Sequence, residues 1–309
     1  MTVKFSKLKS WKQTALSLFV TGLSYKAIHK SLGDVPYDTM YGFLRKHGST
    51  FTQDEIIRNK RLPTIFVIGD TQCKQGIDMT YMSWIGHYIA KKRPDIIVHI
   101  GDHYDMAALS SYDKATLKAE GRRVKKDIEA GDLGLKLIED EIKKVVGYNP
   151  RKIVTLGNHE ERIDRYVSYN PEFEGFMGTD KLAFNDYGWE VVPFLKPCVI
   201  EGISFQHFVA NVMTGKPLGG NALNILKNSG KSFVMGHKQV LDMAMKPVLG
   251  GGHQLGVVVG ACYEHDEGYK GYQGNNHFRG CVMLYEVEDG FALPKPVSLN
   301  HMRKVYETK

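Results

Sequence analysis

The chain has 309 residues, of which 42% are hydrophobic and 24% are charged, and it carries a net charge of +7. This length and composition are typical of an ordinary globular protein with one large domain and a small one. The apolar runs are too short to cross a bilayer and the N-terminus lacks a signal-peptide pattern, so we expect a cytoplasmic protein without a membrane partner. Four widely spaced cysteines without a CxxC pair argue against a zinc ribbon or a redox dithiol.

The excess positive charge lies entirely in the N-terminal part of the chain. Residues 1–62 contain eleven Lys and Arg against four Asp and Glu, an excess of seven, whereas residues 63–309 contain thirty of each. A localised basic segment of this kind is expected where a protein meets a polyanion. We therefore predict a small basic domain and linker over residues 1–62 and a second domain over residues 63–309.

Three short helices are predicted in the basic domain. An apolar stripe predicts the first over residues 9–21, Ser24 caps a second, and a third covers about residues 37–47. The last two resemble the helix-turn-helix domains of transcription factors and transposase-like proteins, which implies that they bind DNA. The side chains expected to meet the groove or the phosphates are Lys26, Lys30, Tyr37, Thr39, Tyr41, Arg45 and Lys46. The alternative is a three-helix packing module whose lysines serve only solubility.

Three buried strands are predicted at residues 64–68, 95–100 and 152–156, with a helix over residues 78–92 linking the first two as a β-α-β unit. Ligands of α/β sheets bind at the carboxyl ends of the strands. After each of these strands comes a Gly and then a residue with a hard oxygen ligand: Asp70, Asp102 and Asn158. The sequence therefore places three oxygen ligands at one edge of a sheet.

The rest of the chain adds a helical insertion and two more candidate ligands. Residues 106–146 are predicted to be helical, with a break at Gly131. Two of the short strands that follow end in His207 and His237. A single Asp often caps a helix and a single His is often a satisfied polar residue, but five such residues at strand ends are typical of a metal site. Carboxylate, amide and imidazole ligands suit a pair of divalent ions that act on a phosphoryl group.

The ordered motifs resemble those of the calcineurin-like metallophosphoesterases. They are Gly69-Asp70-x-Gln72, Gly101-Asp102-x-x-Asp105, Gly157-Asn158-His159-Glu160, His207 and Gly236-His237-x-Gln239. The resemblance implies an α/β fold, a four-layer α/β/β/α sandwich, preceded here by the three-helix domain. It also implies a hydrolase that cleaves phosphate esters with metal-activated water, and two divalent ions bridged by Asp102. Asn158, His207 and His237 would complete one ion's site, and Asp70 would bind the other.

The resemblance also implies roles for residues beyond these ligands. His159 would protonate the leaving oxygen, Asp105 would orient His159, and Arg162 would contact the phosphoryl group. Gln72 and Gln239 stand where the family usually has histidine, and both would serve the ion at Asp70. Because the remaining ligands of that ion are oxygens, we expect Mn²⁺, or in second place Mg²⁺, rather than Zn²⁺ or Fe.

These patterns lead us to expect a phosphodiesterase of the nuclease type with DNA as its partner. One alternative is a phosphoprotein or small-molecule phosphatase that docks its partner through the N-terminal helices. Another is a DNA-binding regulator with an inactive phosphoesterase fold, and a site with a single occupied metal also stays open. A helix-turn-helix domain joined to such a catalytic domain is typical of a bacteriophage or prophage protein.

Overall fold

The computed structural model describes residues 8–49, 62–114, 116–268 and 270–307. The chain divides into two units, Met1–Leu62 and Pro63–Lys309. The sequence predicts a polar and then basic linker over residues 49–62, and most of it lies outside the described residues. Within the described ranges, no helix has both the length and the apolar character that a membrane-spanning helix needs.

The N-terminal unit contains three helices among its described residues, α1 (Ser10–Val20), α2 (Tyr25–Leu32) and α3 (Tyr37–His47). The Ser24 hydroxyl accepts a hydrogen bond from the backbone N–H of Ala27, which confirms the predicted N-cap of α2. One apolar side of each helix faces the other two helices. The buried residues of this small core are Ala15, Leu16, Ile28, Met40 and Leu44.

The strands of the larger unit are short and are distributed along its whole described length. They are β1 (Ile65–Ile68), β2 (Ile96–His99), β3 (Arg151–Thr155), β4 (Glu190–Val192), β5 (Cys198–Ile200), β6 (Ile203–Phe205), β7 (Phe233–Met235), β8 (Asp242–Pro247), β9 (His253–Val258), β10 (Gly280–Glu288) and β11 (Phe291–Ser298). The helices of this unit are α4 (Thr80–Lys92), α5 (Val124–Lys143), α6 (Glu161–Tyr169), α7 (Ala222–Ser229), α8 (Gly271–Gly274) and α9 (Leu299–Tyr306).

The strands form two mixed sheets. The first has the order β11-β10-β1-β2-β3-β4, in which β1 to β4 are parallel and β10 pairs antiparallel with both β1 and β11. The second has the order β5-β6-β7-β9-β8, with β6, β7 and β9 parallel. Parallel neighbours end at the same edge of a sheet, so β1, β2 and β3 deliver their following loops to one place.

The two sheets pack face to face and helices cover both outer faces. Ile65, Val67 and Val98 of the first sheet share one apolar core with Phe205 and Val257 of the second. Helices α4, α5 and α9 pack on the outer face of the first sheet, and α7 packs on the second. The layers are therefore helix, sheet, sheet and helix, and the predicted four-layer sandwich is confirmed.

Three details differ from what the sequence predicts. The insertion predicted to be helical over residues 106–146 forms, among its described residues, one α-helix at Val124–Lys143, preceded by turns and two short 3-10 segments. Helix α5 runs without a break through Gly131, so the predicted interruption is wrong. A glycine is needed there because a β-carbon would collide with the ring of Tyr104. In addition, the alternating strands β8 and β11 at the sheet edges were not predicted. Both contain proline, such as Pro247 and Pro294, and an edge strand tolerates the missing N–H.

We predict that Gly131→Ala lowers the free energy of unfolding by about 1–3 kcal/mol, the usual cost of overpacking a filled core. In a helix interior alanine is otherwise about 1 kcal/mol more favourable than glycine. The collision with the Tyr104 ring therefore turns an expected gain in stability into a loss. Urea unfolding measures the change. Gly42→Ala in α3, where an added methyl meets no atom within 4 Å, is the control and should not destabilise its unit. A stabilised Gly131→Ala variant would contradict the packing argument.

Candidate active site

The edge where β1, β2 and β3 end brings three oxygen ligands together. Asp70 follows β1, Asp102 follows β2, and Asn158 follows β3, each after a glycine. Asp70 and Asp102 are almost completely buried. The second sheet faces this edge, and its parallel strands β6 and β7 end two residues before His207 and His237. The structure therefore joins the five ligands that the sequence predicts at strand ends.

Four of these ligands converge on one point. The Nε2 atom of His207 lies 3.0 Å from Oδ1 of Asn158 and 3.3 Å from Oδ2 of Asp102. The Nδ1 atom of His237 lies 2.8 Å from the same Asn158 oxygen. Ligand atoms of Asp102, His207 and His237 all lie within 4.8 Å of one another, which is close enough to hold one metal ion.

The hydrogen bonds of His207 show that this cluster needs a cation. Its Nδ1 lies 2.9 Å from the backbone oxygen of Ile100, so Nδ1 carries the proton of that bond. In neutral His207, Nε2 then presents a lone pair toward the oxygens of Asn158 and Asp102, which are also acceptors. Either a second proton or a metal ion must lie between these acceptor atoms. The donor set of two imidazoles, a carboxylate and an amide fits a divalent metal.

Two of the three titratable ligands of the cluster, Asp102 and His237, are in the forms that metals bind. Burial disfavours ionised Asp102, but His159 and His207 outweigh burial and lower its pKa. Burial lowers the pKa of His237 to about 4, with a further contribution from His207, so His237 is a neutral imidazole near pH 7. For His207, the Asp102 carboxylate outweighs burial and raises the pKa to about 9. A metal ion would therefore displace a proton from His207 when it binds.

His159 has the surroundings of a proton donor. Its Nδ1 lies 2.9 Å from Oδ1 of Asp105, and its Nε2 lies 3.7 Å from Oδ2 of Asp102. Burial disfavours the charged imidazolium, but these two carboxylates outweigh burial and raise the pKa of His159. The imidazolium can therefore persist beside the cluster, where it can give a proton to a leaving oxygen.

The structure places Arg162 against the backbone. Its guanidinium donates a hydrogen bond of 2.8 Å to the backbone oxygen of Asp105, at the end of the loop that follows β2. This bond helps to hold the Asp105 carboxylate next to His159. The predicted contact between Arg162 and a phosphoryl group stays a prediction.

Glu160 has a structural role that the sequence analysis did not assign, although the residue belongs to the Gly157-Asn158-His159-Glu160 motif. Its carboxylate is fully buried and accepts four backbone N–H groups at 2.6–3.0 Å. Three of these N–H groups lie in the loop after β2 and belong to Asp102, His103 and Tyr104. The fourth lies in the loop after β3 and belongs to Gly157. Glu160 therefore fixes two ligand-bearing loops to each other.

The half of the site around Asp70 is different. Burial raises the pKa of Asp70 to about 7, and its Oδ2 atom has no hydrogen-bond partner among the described residues. Both amide atoms of buried Gln72 also lack a hydrogen-bond partner in the described part of the chain. Gln239 is buried, and its Oε1 accepts a hydrogen bond of 2.9 Å from the hydroxyl of Tyr263. Gln72 and Gln239 are amides where imidazoles are expected, so this half fits a divalent ion much less well.

The seven DNA-binding candidates of the N-terminal unit are all exposed on α2 and α3. The rings of Tyr37 and Tyr41 stack on each other with centroids 6.0 Å apart, and each has more than a third of its surface exposed. Tyr25 contacts the edge of Tyr41, and His29 contacts Tyr37. The predicted surface is therefore an aromatic cluster with basic residues on the same two helices.

The two facing sheets, with a carboxylate, amide and imidazole cluster at their joined edge, define a metal-dependent phosphoesterase. A model of the calcineurin-like phosphoesterase family matches residues 63–254. The chain belongs to this family and is a hydrolase that acts on phosphate esters.

Two curated bacteriophage proteins are similar to the chain. The Gene 54 protein of Mycobacterium phage L5 is 28% identical over 178 residues, which cover 56% of this chain and 68% of the relative. The Gene 54 protein of Mycobacterium phage D29 is 26% identical over 196 residues, which cover 62% of this chain and 74% of the relative. The predicted similarity to bacteriophage proteins is confirmed.

We predict that Glu160→Gln destabilises the protein by about 1–3 kcal/mol, because the amide turns a donor toward N–H groups that need an acceptor. The loosened loops should also bind metal more weakly, since Asp102 lies in one of them. Thermal unfolding and Mn²⁺ titration measure the two effects. Glu161→Gln is the matched control, because this side chain accepts no hydrogen bond within the described ranges. Equal stability and equal metal affinity of both variants would contradict the bracing role.

Proposed function

We propose that this protein is a metal-dependent phosphodiesterase that cleaves nucleic acid, with Mn²⁺ as its preferred ion. The observation that carries the proposal is the convergence of four ligand atoms from Asp102, Asn158, His207 and His237 beside a carboxylate-bound imidazole, that of His159. Cleavage of a phosphate ester needs charge stabilisation on the phosphoryl oxygens and a proton for the leaving oxygen. The four ligands would hold an ion that supplies the charge stabilisation, and His159 supplies the proton.

The residues of the site have separate tasks in this proposal. Asp102, Asn158, His207 and His237 would hold a divalent ion, which when bound polarises the phosphoryl oxygens and makes water a better nucleophile. His159 protonates the leaving oxygen through Nε2, while the Asp105 carboxylate holds Nδ1 and keeps the ring in place. Asp102 and Asn158 supply oxygen ligands, with which Mn²⁺ is compatible. The second ion predicted at Asp70 stays a prediction.

The N-terminal unit supports nucleic acid as the substrate. Residues 1–62 carry the whole excess positive charge of the chain. Basic side chains are attracted to the phosphate backbone of a nucleic acid whatever its nucleotide sequence. The exposed stack of Tyr37 and Tyr41 adds flat rings on which bases can stack. A phosphomonoesterase acting on small molecules would need neither feature.

We predict that the purified chain with Mn²⁺ hydrolyses bis-p-nitrophenyl phosphate and DNA, and that a chelator stops both reactions. His159→Ala should lower kcat by about 10²- to 10⁴-fold, the usual contribution of a general acid. Asp102→Asn should weaken Mn²⁺ binding as well as activity. Circular dichroism confirms that both variants are folded.

Two outcomes would contradict this function. A folded protein that hydrolyses neither substrate with any divalent ion would support the inactive, DNA-binding alternative. Hydrolysis of p-nitrophenyl phosphate or phosphopeptides, without cleavage of either diester, would support the phosphatase alternative.

We predict that Lys26→Ala/Lys30→Ala weakens DNA binding and reduces the slope of log affinity against log salt by about one per lysine. Hydrolysis of bis-p-nitrophenyl phosphate should not change, because this small substrate does not need the N-terminal surface. Lys227→Ala/Lys231→Ala removes the same charge from exposed positions around α7 and is the matched control. If both double variants weaken DNA binding equally, the N-terminal unit is not the docking surface.

A further inference from the structure

The segment that follows β9 lies directly against the Asp70 half of the site. The backbone N–H of Cys262 donates a hydrogen bond of 2.7 Å to the backbone oxygen of Asp70. The next residue, Tyr263, is fully buried, and its hydroxyl donates to Gln239 at 2.9 Å. Tyr263 thus links this segment to one of the two amides that stand where imidazoles are expected.

Tyr263 in turn holds a lysine. The ammonium of Lys270 donates a hydrogen bond of 2.8 Å to the Tyr263 hydroxyl and lies 3.2 Å from Nε2 of His277. Burial lowers the pKa of Lys270 to about 8, against the attraction of the Asp70 and Glu267 carboxylates, so the ammonium is still mostly charged near pH 7. Glu267 pairs instead with Lys74, at 2.7 Å. Within the described residues, Lys270 forms no ion pair.

A positive charge in this half of the site would offset the cost of burying the Asp70 carboxylate. Asp70 is a fully buried carboxylate with one oxygen that lacks a partner in the described ranges. A buried carboxylate is costly unless a cation lies near it. Neither Gln72 nor Gln239 carries charge, and the Gln239 oxygen already accepts the Tyr263 hydrogen bond. Lys270 brings an ammonium to this half of the site, because the Tyr263 hydroxyl that it binds is the group that donates to Gln239.

We propose that Lys270 supplies the positive charge that a second metal ion would supply at Asp70, so that the resting enzyme holds a single divalent ion. This inference rests on the proposed function, since it assumes that the cluster of Asp102, Asn158, His207 and His237 binds metal. Tyr263 and His277 hold the ammonium in place. The lysine replaces the charge of the second ion, and the two glutamines remove the imidazoles that would attract that ion.

The first test is a count of bound metal in the full chain. Metal-free protein is titrated with Mn²⁺, and bound metal is measured by elemental analysis and by electron paramagnetic resonance. We expect one ion per chain at saturation and the spectrum of an isolated Mn²⁺ ion. Two tightly bound ions with an exchange-coupled spectrum would overturn the inference and leave the proposed function intact. If no Mn²⁺ or other divalent ion binds, the proposed function fails as well.

The second test compares two variants that differ only at Lys270. Gln72→His/Gln239→His restores two imidazoles, and the same double variant with Lys270→Met also removes the ammonium. We expect the triple variant to bind a second Mn²⁺ at least about tenfold more tightly than the double variant does, because the ammonium that the double variant retains repels the ion. Equal second-ion affinities would overturn the inference. If a variant does not fold, the number of Mn²⁺ ions bound by the wild-type chain still tests the inference.

Discussion

The site depends on the bonds that one buried carboxylate makes to the backbone. The four N–H groups bound by Glu160 come from loops of β2 and β3, and the N–H of His159 adds a hydrogen bond of 2.9 Å to Oδ1 of Asp102. In a buried place each of these N–H groups would otherwise lack a partner. The same bonds hold Asp102 and the general-acid candidate at a fixed separation. Much of the position and stability of the site therefore comes from Glu160, which has no direct part in the chemistry.

Much of the architecture follows from local patterns that the sequence displays. A helix is predicted over residues 78–92 from its apolar periodicity, and the apolar side chains Met82, Ile85 and Ile89 of α4 are fully buried. The strand ends were predicted because a buried apolar run followed by Gly and a polar residue has few other interpretations in an α/β chain. The sequence alone therefore places three oxygen ligands at one edge of a sheet and two histidines at the ends of later strands. The family resemblance then supplied the pairing of His159 with Asp105, which the 2.9 Å separation matches.

Other features depend on contacts between distant parts of the chain, and no local pattern indicates them. Gly131 is required by the ring of Tyr104, which reaches α5 from the loop after β2. The contact of Lys270 with the Asp70 half passes through Tyr263, nearly two hundred residues beyond the first motif. Edge strands β8 and β11 carry prolines and alternate in burial, so they lack the continuous apolar run of a central strand. Such features become visible only when the packing is known.

The backbone around Asp70 has the same unusual conformation as the backbone of the other half of the site. Four site residues adopt left-handed conformations with φ between 41° and 63°, and they are Gln72, Asp102, His237 and Gln239. Each such residue costs about 1–3 kcal/mol unless the surroundings hold it. The two glutamines bear this strain just as the two ligands of the other half do. The two halves of the site therefore share a left-handed backbone and differ in the side chains that it carries, which are two amides in one half and a carboxylate and an imidazole in the other.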